Sequence, residues 1–171
     1  MKYLTKLSPS SFERVVNAQL LFEYDDIICR HDIKIIEDED LKIEIHKKIS
    51  QIDSYKKLNE VKEELEDRFG KVSEDIIIYM HEELFEKKAS EIGINNIRQT
   101  KNFVDIILDE KITKNLDGET LFLKLNDLSR MFRFGNKFNK LVITLDTVKL
   151  DKHFIYYLID FVNILKECQK K

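Results

Sequence analysis

The spacing of apolar residues changes period at Gly93, and the change calls for different architecture on its two sides. Before Gly93 the apolar positions recur three or four residues apart. Leu41, Ile45, Ile49 and Ile52 form one helical stripe, and Leu58, Val61, Leu65 and Phe69 form a second. Ile77, Met80, Leu84 and Ile92 form a third. Asp38, Glu39 and Asp40 precede the first stripe, where the positive end of a helix dipole favours acids. Gly70 is suited to the left-handed conformation that ends a helix, and Ser73 with Glu74 and Asp75 starts the next one.

After Gly93 the pattern turns strand-like. Ile94 to Thr100 and Phe103 to Leu108 read as a hairpin turning near Lys101 and Asn102. Asp117 and Gly118 open a helix that places Leu121, Leu125 and Leu128 inward. Met131 to Phe134 and Leu141 to Leu145 predict a second hairpin around Gly135 and Asn136. A last helix from about Asp151 gathers Phe154, Tyr157, Leu158, Phe161, Leu165 and Cys168. The expected fold class is therefore α+β: N-terminal helices, then a β-β-α-β-β-α unit with helices packed on a small antiparallel sheet. One proline and four glycines in 171 residues, with 43% hydrophobic residues, suit such a helix-rich core. Residues 1–36 are harder to place. Ser8 to Ser11 read as a cap for a helix through Phe12, Val15, Val16, Leu20 and Leu21, and Ile33 to Ile36 as a short strand.

Charge narrows the function classes. Twenty-nine basic and 32 acidic residues leave a net charge of −3, whereas autonomous duplex binding usually draws on a basic excess. A protein partner is the expectation, and direct nucleic-acid binding is not. Cys29 and Cys168 stand far apart and make no CxxC pair, in keeping with a reducing cytoplasm. No apolar run is long enough for a membrane span, and the first residues lack a signal-peptide pattern.

No catalytic constellation emerges. The four glycines are isolated, so a phosphate-cradling loop is missing, and there is no nucleophile elbow. His81, Glu82 and Glu83 resemble the start of a zinc-protease helix, but Phe85 stands where the second histidine belongs. Cys29 and His31 have no second ligand pair at suitable spacing. The expectation is a non-enzyme with no catalytic residue, cofactor or metal. The strongest local signal is electrostatic: Glu60, Glu64 and Asp67 form an i, i+4, i+7 stripe opposite the apolar face of the second helix. Spacing alone leaves two readings open, a solvated acidic face or a contact surface for a partner's arginines.

Two longer stretches carry a family resemblance. Glu63-Glu64-Leu65-Glu66-Asp67-Arg68-Phe69-Gly70 resembles the E-E-L-x-D-R-F-G signature of the C-terminal regulatory domain of bacterial transcription-repair coupling factors. The following helix ends in Ala89-Ser90-Glu91-Ile92-Gly93-Ile94, similar to the family's A-x-x-x-G-I. Upstream, Asp38 to Ile49 is similar to its D-E-x-L-R-L-x-x-Y-K-R-I segment, with His46 in place of the usual tyrosine. Ser73 stands where proline is common. The residue-level likeness covers about 36–98; beyond it the order of elements persists.

The resemblance implies that residues 37–171 are the regulatory domain and that residues 1–36 are an insertion or the tail of a preceding domain. It implies an intramolecular partner, the UvrB-like module of the same parent protein. Packing there masks the surface that recruits UvrA and leaves the factor autoinhibited until it engages stalled RNA polymerase. It also implies that the helicase motifs driving the parent's ATP-dependent translocation lie in other domains. By motif, the partner-contact acids are Glu64 and Asp67, beside Glu60 of the same stripe. Arg68 is either a surface pair or an anchor of the helix end, and Phe69 belongs to the core. The competing readings are an independent adaptor of the same fold, or a nucleic-acid-binding module using Arg98, Lys101, Lys111, Lys114 and a stacking Phe103.

Overall fold

The computed structural model describes residues 39–137 and 140–170. The helix and strand expected before residue 37, and the pair Cys29 and His31, lie outside the described residues. In chain order the elements are α1 (Glu39–Ile49), α2 (Tyr55–Phe69) and α3 (Glu74–Ile92), then β1 (Ile97–Gln99) and β2 (Phe103–Leu108). There follow α4 (Glu110–Lys114), α5 (Gly118–Leu128), β3 (Phe132–Lys137), β4 (Lys140–Asp146) and α6 (Phe154–Glu167). The chain divides into two compact units, with the boundary at Ala89 inside α3. The α+β class holds, with helices first and a four-stranded antiparallel sheet after.

In the helical unit Ile45, Ile49 and Ile52 are buried along α1 and its exit, and Leu58, Val61 and Leu65 along α2. Ser54 caps α2, its hydroxyl oxygen accepting the Lys57 N–H at 3.3 Å. Gly70 ends α2 with its N–H on the Glu66 carbonyl. Its φ of 85° is positive as expected, but its ψ of −165° takes it out of the left-handed helical well into a region open essentially to glycine alone. Ser73 starts α3, its Oγ accepting from the Ile76 N–H at 3.5 Å. The buried stripe of α3 is Ile76, Met80, Leu84 and Ala89, while Ile77 and Ile92 are only half-buried. The expected Ile77 and Ile92 thus give way to Ile76 and Ala89, the first because Ile76, Ile77 and Ile78 offer three adjacent registers. Phe69, expected in the core, is also half-buried, with the Arg68 guanidinium 4.9 Å above its ring.

In the sheet unit the strand order is β1-β2-β4-β3. Val104, Ile106, Leu108, Ile143 and Leu145 alternate onto one buried face. Helices α5 and α6 pack on that side, with Phe161 of α6 stacked on Phe132 of β3 at 6.1 Å and Phe122 of α5 tilted on Phe134 at 5.2 Å. The second hairpin does not turn at Gly135 and Asn136. Those residues pair with Val142 and Leu141, and the pairing continues to Lys137 opposite Lys140. Gly135 needs no positive φ there and serves as an ordinary strand residue. The last helix begins at Phe154 rather than near Asp151, with the His153 ring nitrogen accepting from the Ile155 N–H at 3.3 Å. Asp117 caps α5 as expected. Hydrogen bonds from Asp117 N–H to the Cys168 carbonyl and from Lys170 N–H to the Asn115 carbonyl fasten the chain's end beside that cap. Among the described residues no helix is long and apolar enough to cross a membrane.

Candidate functional site

Helix α2 buries Leu58, Val61 and Leu65, so with about 100° per residue its far side is set by arithmetic. That side carries Lys56, Glu60, Glu63 and Asp67, all exposed. Glu64 lies on the flank, facing α1, and is half-exposed. The three acids of the sequence stripe therefore do different things.

Glu60 is held within its own helix, 3.6 Å from Lys57 and 3.9 Å from Lys56. Glu64 enters a closed ring of four charges that joins α1 to α2. Its Oε1 receives the Lys48 ammonium and lies 3.6 Å from the Arg68 guanidinium. Arg68 in turn donates to Glu44 Oε1 at 2.7 Å, and Lys48 approaches the same Glu44 oxygen at 3.8 Å. The Lys48 hydrogen bond, reinforced by the charges of Lys48 and Arg68, holds the Glu64 carboxyl below its ordinary pKa. The Arg68 hydrogen bond does the same for Glu44, and Glu44 in turn raises Arg68. Arg68 is thus a structural anchor between two helices as well as a surface cation. Asp67 makes no ion pair or side-chain hydrogen bond among the described residues, and neither does Glu63 one turn earlier. Glu63 was missed as a contact candidate because the i, i+4, i+7 pattern chose Glu60 and Glu64. The signal that finds it is its angular position opposite Leu58 and Leu65.

His46 spans from α1 to α3, its Nδ1 3.1 Å from the Tyr79 hydroxyl with the rings edge to face. His81 turns back on its own helix, Nδ1 donating to the Ile77 carbonyl at 2.7 Å. Glu83 and Glu86, one turn apart on α3, are both buried. Burial raises the Glu83 carboxyl to about 7, with the Glu86 charge adding to it, and burial raises Glu86 as well. Among the described residues no three histidines, cysteines or carboxylates converge in a way that could hold a metal ion. The cations of the nucleic-acid reading are dispersed. Arg98 stands opposite Asp105 in the β1–β2 register, and Lys114 pairs with Glu110 at 2.8 Å. Lys101 lies in the turn, Lys111 on α4, and Arg133 stands over the Phe103 ring at 6.0 Å.

Residues 33–118, half of the chain and the whole of this charged face, match the TRCF domain family. The chain belongs to the TRCF domain family. It is similar to the transcription-repair-coupling factor of Staphylococcus aureus (strain USA300), 33% identical over 110 residues that make up 64% of this chain and 9% of that protein. The same factor from Staphylococcus haemolyticus (strain JCSC1435) is 29% identical over 114 residues, 67% of this chain and 10% of the relative. The chain thus spans about a tenth of the length of the curated relatives it matches. The fold is similar to a crystal structure of the C-terminal domain of transcription-repair coupling factor, with a TM-score of 0.69 at 23% identity, covering 78% of this chain and 84% of that one.

Proposed function

We propose that this chain acts as the non-catalytic regulatory domain of a transcription-repair coupling factor in transcription-coupled nucleotide excision repair. Residues 37–171 form the domain, and residues 1–36 are an insertion or the tail of a preceding domain. It works in the cytoplasm, packs on the UvrB-like module of its parent and masks the UvrA-binding surface. UvrA and RNA polymerase are therefore indirect partners. The observation that carries this reading is the exposed edge of α2, where Asp67 and Glu63 present carboxylates with no ion-pair partner among the described residues, within the family-matched segment. Carboxylates so placed suit guanidinium groups, which match them geometrically and relieve their like-charge repulsion. Glu64 on the flank and Glu60 beside it extend the contact, and Arg68 holds the helix end that presents them. A net charge of −3 suits a basic protein surface better than a phosphate backbone.

The mechanism is a population shift. The domain binds the closed form of the parent and not the open form, so its contact free energy sets the closed fraction. The test is UvrA affinity of the parent protein carrying Glu64→Lys with Asp67→Lys. The variant should bind UvrA more tightly than wild type. Unchanged UvrA affinity in a folded double variant would sink the reading.

A further inference from the structure

The charged ring between α1 and α2 is used asymmetrically. Among the described residues two cations approach Glu64 Oε1: the Lys48 ammonium donates to it, and Arg68 lies 3.6 Å from it. A guanidinium grips a carboxylate best through both oxygens at once, in a planar fork. An incoming arginine therefore has to displace the Lys48 ammonium from Oε1 before it can hold both oxygens. Lys48 also has somewhere to go, because Glu44 Oε1 already lies 3.8 Å from its nitrogen.

We infer that Lys48 is an internal competitor for Glu64: a partner's arginine takes the carboxylate by exchange, and Lys48 falls back on Glu44. The inference rests on the proposed function for the identity of the α2 face as the arginine-receiving surface. Its consequence is regulatory. The intramolecular pair weakens the closed state by the amount needed to release Glu64, which keeps the contact reversible. Asp67 and Glu63, which have no ion-pair partner among the described residues, bear no such handicap. The specificity follows too, since a lysine on the partner would replace one ammonium by another and gain less than an arginine.

The test is a double-variant cycle on this chain, read as affinity for the UvrB-like module in low-salt buffer. Lys48→Met keeps the aliphatic stem and removes the competitor. Lys62→Met removes a neighbouring cation that serves Glu66 at 3.9 Å, and so controls for net charge. Lys48→Met should tighten binding about two- to fivefold beyond Lys62→Met, the range an exposed pair supports. The gain should vanish in a Glu64→Gln background. Equal effects of the two lysine variants, or weaker binding by Lys48→Met, would overturn the competitor while leaving the proposed function standing. Carbon-detected titration of the Glu64 carboxyl supplies a readout without any partner. Its pKa, depressed in the wild-type chain, should rise in Lys48→Met; a pKa that does not move overturns the inference. A pKa that rises in chains that all fail to bind the module overturns the proposed function, and the competitor falls with it.

Discussion

Glu83 is a residue whose cost to the fold depends on pH. Burial raises its carboxyl from 4.5 to about 7, helped by the charge of Glu86 and opposed by Lys87. A carboxyl whose pKa is higher folded than unfolded binds its proton more tightly in the native state. Its contribution to stability is then fully present below pH 4.5 and is lost as pH rises through about 7. At 1.36 kcal/mol per unit, the loss across that window is about 3 kcal/mol. Glu83→Gln removes the titration, so chemical denaturation at pH 8 should show the variant more stable than wild type, with the difference fading by pH 5. A constant difference between the two pH values would show that Glu83 ionises freely. Glu44, Glu64, Asp117 and Asp151 have lowered values, so their stabilisation is lost only as pH falls below the ordinary carboxylate range.

At the scale of the element, α2 depends on its two ends and its buried stripe. Gly70 closes it with φ 85° and ψ −165°, and a Cβ there would meet nothing within 4 Å. The cost of Gly70→Ala is thus backbone strain alone, about 1–3 kcal/mol by denaturation. A neutral substitution would mean that the chain can end the helix another way. Leu65→Ala should cost about 2–5 kcal/mol, since Leu65 is buried beside Leu58 and Val61. A loss under 1 kcal/mol would contradict its place in the core. Leu58, Val61, Leu65 and the closing glycine were legible in the sequence because helical spacing and a helix-ending residue agreed, whereas Phe69 of the same stripe is only half-buried. Elsewhere one residue type served two possible roles. Gly135 looked like a turn but pairs within β3, because glycine tolerates extended backbone as readily as a reversal. The isoleucine run 76–78 hid the register of α3. The short helix α4 has Ile112 as its sole buried residue, too little apolar period to be seen. At the site, spacing found Glu60, Glu64 and Asp67 but not which were already paired. That depended on Lys48 and Glu44, which lie on another helix.

At the scale of the whole molecule, the proposed role needs a folded domain whose acidic edge meets a basic partner, with affinity low enough to release. Purified chain should show no ATP turnover above background. Sustained hydrolysis that survives further purification would contradict a purely regulatory role. The most direct measurement is calorimetric titration of this chain with the UvrB-like module, alongside Asp67→Lys, which breaks no ion pair among the described residues. Saturable binding by wild type, weakened roughly tenfold or more by the reversal and further by added salt, is the expected result. A folded wild-type chain that does not bind, or a reversal that leaves the affinity unchanged, would contradict the assignment of α2 as the contact face.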